Sequence, residues 1–123
     1  MSINQQQTHL GRITPAIRHS LAGLVAAYKN EIAFRQEVFL TIILLPTAFF
    51  IANDFVEFCL LASGIFAVLI TELLNSGIEA AIDRISFDYH ELSGRAKDLG
   101  SAAVFVAICY FLLVWGYKTY TLL

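Results

Sequence analysis

Four polar side chains share one face of the second long apolar segment and are the residues best suited to chemistry. Glu72, Asn75, Glu79 and Asp83 stand at offsets 0, 3, 7 and 11. At 100° per residue, they fall within about 80° of one another on a helix. An ionisable group beside an apolar run is costly, on the order of 2.5 kcal/mol or more at mid-membrane, and usually marks function. The spacing therefore predicts a polar stripe that begins inside a membrane and faces other helices or a water-filled cleft.

Carboxylates at two depths could divide the work of transferring a phosphoryl group to a lipid alcohol. Mg²⁺ prefers one or two carboxylates together with substrate phosphates and waters. Glu79 could therefore share a metal site with Glu31, which precedes the first apolar segment. Glu72 lies deeper and could accept the proton of a lipid hydroxyl as a general base. Proton relay or ion transport would also use membrane carboxylates, so the stripe alone leaves these classes open.

The segment from residue 86 to residue 100, SFDYHELSGRAKDLG, is dense in groups that hold anions. Arg95 and Lys97 can meet phosphate charge, and Gly94 and Gly100 permit a turn or a close backbone approach. The N-terminus of the third apolar helix would add unpaired amide donors that favour phosphate. Loop cations also serve as topology signals, so both interpretations stay open. The sequence has no Walker GxxxxGK[ST] motif and no protein-kinase motif set, so an ATP site must be of a different kind.

Three apolar runs must carry these side chains across a bilayer. The chain has 123 residues, of which 58% are hydrophobic, and its mean hydropathy is +0.68. It is more apolar than a soluble domain of this size can bury. A spanning helix needs about 20 mostly apolar residues, and three runs approach that length. We predict a single all-α membrane domain over residues 1–123, with spans at about 34–52, 56–84 (including a cytoplasmic extension) and 98–118.

A further helix is predicted before the first span, at about residues 14–30. Thr14 and Pro15 suit a helix N-cap and the first helical position. Apolar residues at positions 17, 21, 24 and 28 share one face, as expected of an amphipathic helix that lies on a membrane surface.

The placement of the basic residues predicts the orientation of the chain. Seven of the eight Lys and Arg residues either precede the first span or lie between the second and the third. Basic residues near helix ends are retained on the cytoplasmic side. The N-terminus is therefore predicted to be cytoplasmic and the C-terminus to lie outside. The net charge of −2 predicts no nucleic-acid partner.

Three ordered motifs closely resemble the prokaryotic diacylglycerol kinase family. They are NEIAFRQE at 30–37, ELLNSGIEAAIDRI at 72–85 and HELSGRAKDLGSAAV at 90–104, and the match covers most of the chain in register. The resemblance implies a homotrimeric inner-membrane enzyme with three spans, a surface helix and a periplasmic C-terminus. It implies transfer of phosphate from ATP, with Mg²⁺, to diacylglycerol, which yields phosphatidic acid. Its active sites would form between neighbouring subunits.

The same resemblance assigns roles to individual residues. It implies that Glu72 is the catalytic base, that Asn75 supports the active site, and that Glu31 and Glu79 are the metal carboxylates. The implied ATP-binding positions are Arg12, His19, Glu31, Glu79, Asp88, Tyr89, His90, Lys97 and Asp98. The implied lipid-substrate positions are Ala33, Phe34, Arg35, Gln36, Glu37, Glu72 and Ser101. The N-terminal helix departs from the pattern, since Pro15 and His19 stand where the family commonly has a basic residue and a tyrosine.

Two sets of residues are expected to govern packing and membrane depth. The small Ser63 and Gly64 would let helices of neighbouring subunits approach closely. Trp115, Tyr117 and Tyr120 are placed as interfacial anchors at the end of the third span.

Two other interpretations of the function remain open. A related small kinase that acts on undecaprenol is built on the same scaffold, although FRQE before the first span favours the diacylglycerol branch. A non-catalytic ion-conducting or scaffolding trimer could use the carboxylate stripe to line a path or to tie helices together. A comparison of phosphorylation rates for the two lipids would separate the two kinases, and hydrolysis of ATP or transfer from it would separate both from the non-catalytic trimer.

Overall fold

Four α-helices account for nearly all of residues 9–123, the part of the chain that this computed structural model describes. They are α1 (His9–Asn30), α2 (Ile32–Ile51), α3 (Phe55–Ile85) and α4 (Glu91–Leu122). Helices α2, α3 and α4 are long and apolar enough to cross a membrane. Within the described residues there is no β-strand. The predicted all-α architecture with three spanning helices is confirmed.

The N-terminal helix begins earlier than predicted. It starts at His9 rather than near residue 14, and Pro15 lies inside it, so Thr14 is not its N-cap. Proline removes one main-chain donor from a helix, and α1 still extends over 22 residues. Ile17, Leu21 and Tyr28, which were predicted to share a face, are each more than half exposed. The apolar face of α1 is therefore not covered by the rest of the protomer.

The connection between α3 and α4 is much shorter than the predicted loop of residues 86–100. Helix α4 begins at Glu91, seven residues before the predicted position. His90 caps it, since its Nδ1 accepts a hydrogen bond from the Leu92 amide at 3.1 Å. Gly94 and Gly100 therefore lie within the helix, and no glycine of the described residues has a positive φ. The turn interpretation of these two glycines is wrong.

The antiparallel pair α3 and α4 forms most of the core. A Cβ on Gly64 would lie 3.1 Å from the Cα of Phe111, which shows how closely the two backbones approach. The hydroxyl groups of Ser63 and Tyr110 share a hydrogen bond of 2.8 Å across the same pair. Small residues permit such close packing in a membrane. Ser63 and Gly64, which were expected to serve contacts between subunits, thus pack the protomer itself.

Polar contacts fasten α3 to α4 at the end that carries Lys118. The Nζ of Lys118 donates to Glu57 Oε1 at 2.8 Å, and Lys118 is only 4% exposed. The indole Nε1 of Trp115 donates to the Leu61 carbonyl at 3.0 Å. Trp115, expected as an interfacial anchor, therefore joins two helices.

Arg35 ties α1 to α2. Its Nη1 donates to the carbonyl oxygens of Tyr28 and Lys29, each at 2.9 Å. A cation at a helix C-terminus satisfies carbonyls that lack a partner within the helix. Glu31, the residue between the two helices, has an extended backbone with φ −113° and ψ 112°. Arg35 thereby fixes the bend at which Glu31 lies.

We expect the ion pair of Glu57 with Lys118 to be costly to break from one side. Glu57→Gln leaves a buried ammonium without its counter-charge, whereas replacing both charged groups removes that penalty. Glu57→Gln should therefore lower the thermal unfolding midpoint in detergent more than the double variant Glu57→Gln/Lys118→Met does.

The control is Glu91→Gln, which removes an exposed 3.6 Å contact with Arg95 and should hardly move the midpoint, because exposed ion pairs contribute little. A double variant that is as unstable as Glu57→Gln, or less stable, would contradict the assignment.

Candidate active site

The predicted polar stripe lies on α3, and its deepest carboxylate is inside the protein. Glu72 is 8% exposed, whereas Leu74, on the other side of the helix, is 64% exposed. A rotation of 100° per residue separates the two faces. The stripe thus faces the other helices at Glu72, as its spacing predicts.

The charges of three further carboxylates act on Glu72. The charges of Glu31 and Glu79 act on it, and so does that of Glu37, which lies in the second turn of α2. Like charges at short range repel one another, most strongly away from bulk water. The cluster is therefore suited to taking up positive charge or a hydrogen-bond donor. Within residues 9–123, however, no group of three or more His, Cys, Asp and Glu side chains has the arrangement of a metal site.

Asn75 stands between the two levels of carboxylate on α3. Its Nδ2 donates to Glu79 Oε1 across 3.4 Å, which is at the long end of a hydrogen bond. Its Oδ1 is buried and has no hydrogen-bond partner within the described residues. A buried carbonyl without a partner costs free energy, so the amide must be held by what packs against it.

Lys97 reaches the stripe from α4. Its Nζ donates to Asp83 Oδ1 at 2.7 Å, and both side chains are partly exposed. Its charge also interacts with Glu79. The sequence predicts Asp83 on the stripe, from its offset of 11 from Glu72, but does not assign it a role. The structure makes it the direct partner of Lys97.

A cleft of about 690 Å³ lies between α1 and α3 beside Glu31. Its other lining residues include the small or polar Ser20, Asn30, Ser76 and Gly77, together with Leu24 and Leu73. Two predicted ATP-binding residues of α1, Arg12 and His19, are exposed, and their side chains form no hydrogen bond or ion pair with the rest of residues 9–123. The cleft brings Glu31 together with α3, but Arg12 and His19 are not among its lining residues.

A second hollow, of about 440 Å³, lies at the connection between α3 and α4. Asp88, Tyr89 and His90, three predicted ATP-binding residues, line it together. Asp98, the neighbour of Lys97, is exposed on α4. The structure therefore divides the predicted ATP-binding residues among α1, the stripe and this connection.

An apolar groove of about 240 Å³ lies between α2, α3 and α4 and includes Glu37. The remaining lining is mostly apolar and includes Leu40, Leu44, Ile65 and Leu112. The Oε2 of Glu37 is buried and has no hydrogen-bond partner within the described part of the chain. The groove thus joins an apolar surface to a carboxylate whose charge reaches Glu72.

The other predicted lipid-binding residues differ in their exposure. Phe34 is 4% exposed, so its side chain packs in the protomer core, and its contact with lipid stays a prediction. Arg35 is engaged with the end of α1. Ala33, Gln36 and Ser101 are exposed.

The fold and the site define a small helical membrane protein with a buried carboxylate centre. The profile of the family described as Prokaryotic diacylglycerol kinase matches residues 18–118. The chain belongs to this family, which confirms the resemblance found in its motifs.

Proteins named diacylglycerol kinase from three bacteria are similar to the chain. The protein of Haemophilus influenzae is 49% identical over 109 residues, which cover 89% of this chain and 92% of that protein. The protein of Pseudomonas aeruginosa is 48% identical over 110 residues, covering 89% of each. The protein of Escherichia coli strain K12 is 47% identical over 108 residues, covering 88% of each.

Proposed function

We propose that the chain phosphorylates diacylglycerol with ATP and forms phosphatidic acid. The observation that carries the proposal is Glu72, a carboxylate only 8% exposed within a membrane-length helix, on which the charges of Glu31 and Glu79 act. Membership of the family supports the same chemistry. The names of the similar proteins do not favour the undecaprenol alternative.

Glu72 acts as the general base of the reaction. The hydroxyl oxygen of diacylglycerol bonds to the γ-phosphorus while the bond from that phosphorus to the bridging oxygen breaks, and ADP leaves with that oxygen. The hydroxyl proton passes to Glu72. Lys97 offsets the negative charge of the phosphates, and Asn75 aligns Glu79 through its amide. Burial of Glu72 keeps competing water away from the proton acceptor.

Glu31 and Glu79 are the residues that fit Mg²⁺. Their charges act on the same buried carboxylate, and Mg²⁺ needs only one or two protein carboxylates, because phosphates and waters complete its ligands. A site with two carboxylates is therefore sufficient without a third side chain. When bound, Mg²⁺ supplies neutralisation of the phosphate charge during transfer.

The two substrates approach the stripe from different sides. The apolar groove that includes Glu37 suits an acyl chain, because burial of its methylenes is favourable. The cleft beside Glu31 and the hollow lined by Tyr89 and His90 suit the phosphates and the base of ATP. Exposed Ser101 and Gln36 remain candidate contacts to the lipid headgroup.

The orientation and assembly of the chain complete the proposal. In the proposed arrangement the protein lies in the bacterial inner membrane, with the N-terminus in the cytoplasm and the C-terminus in the periplasm, and the distribution of the basic residues supports this orientation. A homotrimer with shared sites would bring Arg12 and His19, which are exposed on α1, to the stripe of a neighbouring subunit. The exposure of these two side chains, which form no hydrogen bond or ion pair within residues 9–123, supports this arrangement.

The first experiment follows the transfer of label from γ-labelled ATP to diacylglycerol in mixed micelles, with and without Mg²⁺, with undecaprenol in parallel. Magnesium-dependent labelling of diacylglycerol is expected. Labelling of undecaprenol alone would move the assignment to that lipid. Labelling of neither would favour a non-catalytic membrane assembly.

Glu72→Gln should reduce turnover by at least about 100-fold, the lower part of the range for loss of general-base catalysis. The amide keeps the shape of the side chain but cannot take the proton. Binding of MgATP and the oligomeric state in detergent should stay close to those of the parent protein.

The matched control is Asp54→Asn, at the N-cap of α3, where asparagine caps as well as aspartate. This variant should keep full activity. A fully active Glu72→Gln protein would remove the proposed base.

Lys97→Met should raise the KM for ATP by about tenfold or more, a change that corresponds to the loss of one charge contact. Asp83→Asn keeps the charge of Lys97 but weakens its anchor, so we expect a smaller rise. Steady-state kinetics at saturating diacylglycerol measure both. Arg84→Gln, which removes an exposed cation next to Asp83, should leave the KM unchanged. An equal rise in Arg84→Gln and Lys97→Met would show that only bulk charge matters.

A further inference from the structure

Gly100 lies buried on α4, directly opposite Asn75 of α3. A Cβ at Gly100 would overlap the Oδ1 of Asn75 and would lie 3.4 Å from its Cγ and 3.5 Å from the Cδ1 of Ile78. The Asn75 amide therefore occupies the space that any side chain at position 100 would fill. We name this space the Gly100 seat.

The seat distinguishes Gly100 from the other glycines of α4. A Cβ on Gly116 would meet nothing within 4 Å, and one on Gly94 would meet only the Tyr89 ring at 3.5 Å, an ordinary contact. Helix α4 cannot easily move away to make room, because Lys97, one turn earlier, is held to Asp83 at 2.7 Å. A side chain at position 100 must therefore displace Asn75.

The amide in the seat faces Glu79 with its donor end. With Oδ1 against the α4 backbone and without a hydrogen-bond partner in the described residues, Nδ2 is directed to Glu79 Oε1. An Asn amide has one acceptor end and one donor end, so fixing the first end fixes the second.

We propose that Gly100 is a positioning residue of the active site. Its missing side chain seats the Asn75 amide, and the seated amide holds the Glu79 carboxylate in place for the ATP side of the reaction. The inference rests on the proposed kinase function for its catalytic consequence. The contact between Gly100 and Asn75 can be tested without that function.

The variant that tests the catalytic consequence is Gly100→Ala. Displacement of a site group by roughly an ångström can cost about 100-fold in rate, so we expect turnover to fall by about that factor. The KM for MgATP should rise while the KM for diacylglycerol stays unchanged, because Asn75 contacts Glu79 and not the lipid side. A loss of folded protein would lower turnover but would leave both KM values as they are.

The contact itself is tested by thermal unfolding in detergent. Gly100→Ala should lower the unfolding midpoint in the parent protein but much less in an Asn75→Ser background, where the shorter side chain leaves room for the methyl group. The matched control is Gly116→Ala, which places the same methyl group in open space on the same helix and should change neither kinetics nor midpoint. Gly64→Ala is a second control, because its methyl group meets Phe111 and its effect on the midpoint should be the same in both backgrounds.

Two results would overturn the proposal. One is that Gly100→Ala lowers the thermal unfolding midpoint equally in the parent and the Asn75→Ser backgrounds. That result would show that the methyl group does not meet Asn75. The other is a Gly100→Ala protein whose turnover and KM for MgATP match those of the parent. If the parent protein lacks kinase activity altogether, the proposed function fails, and the midpoints still report whether the seat exists.

Discussion

The register between α3 and α4 decides where the polar side chains of the site lie. Ion pairs fix it at both ends, Lys97 with Asp83 and Lys118 with Glu57, and the indole of Trp115 binds a carbonyl oxygen of α3. A shift of the pairing by one residue would displace one helix by about 1.5 Å and turn its face by about 100°. None of the three contacts would survive it. The two helices, of 31 and 32 residues, are thus held over most of their length.

The carboxylates of the protomer fall into two kinds, those paired with a lysine and those without a counter-charge. Asp83 and Glu57 each meet a lysine of α4, so their charges are offset. Within residues 9–123 no Lys or Arg forms an ion pair with Glu72 or Glu37, although both lie in apolar helices. An uncompensated carboxylate in such surroundings lowers stability. Natural proteins accept that cost mainly at functional sites.

The length of the apolar runs predicted the spans, because the thickness of a bilayer sets that length. The spacing of the polar residues predicted the buried side of the stripe, because it follows from the rotation of a helix. The predicted loop extended too far because Gly94 suggested a turn. The actual start of α4 depends on the side-chain geometry of His90, which caps the helix. The partners of Lys97 and Trp115 could not be predicted, because residues far apart in the chain meet only once the register of α3 and α4 is known. The burial of Phe34 within the protomer could not be predicted either, since a motif does not report how the helices pack.

The spacing along α3 explains why the site depends on a residue at its middle. Glu72 and Glu79 are seven residues apart, which is about 10 Å along the helix axis, whereas one hydrogen bond spans about 3 Å. The two carboxylates therefore act on different groups. The side chain that lies between them, Asn75, forms a hydrogen bond with Glu79. Asn75 stands there and adds no charge. The register of α3 and α4 that brings Lys97 to Asp83 also brings the backbone of Gly100, one turn further along α4, against the Asn75 amide. The ion pair and the close contact at Gly100 therefore depend on the same register.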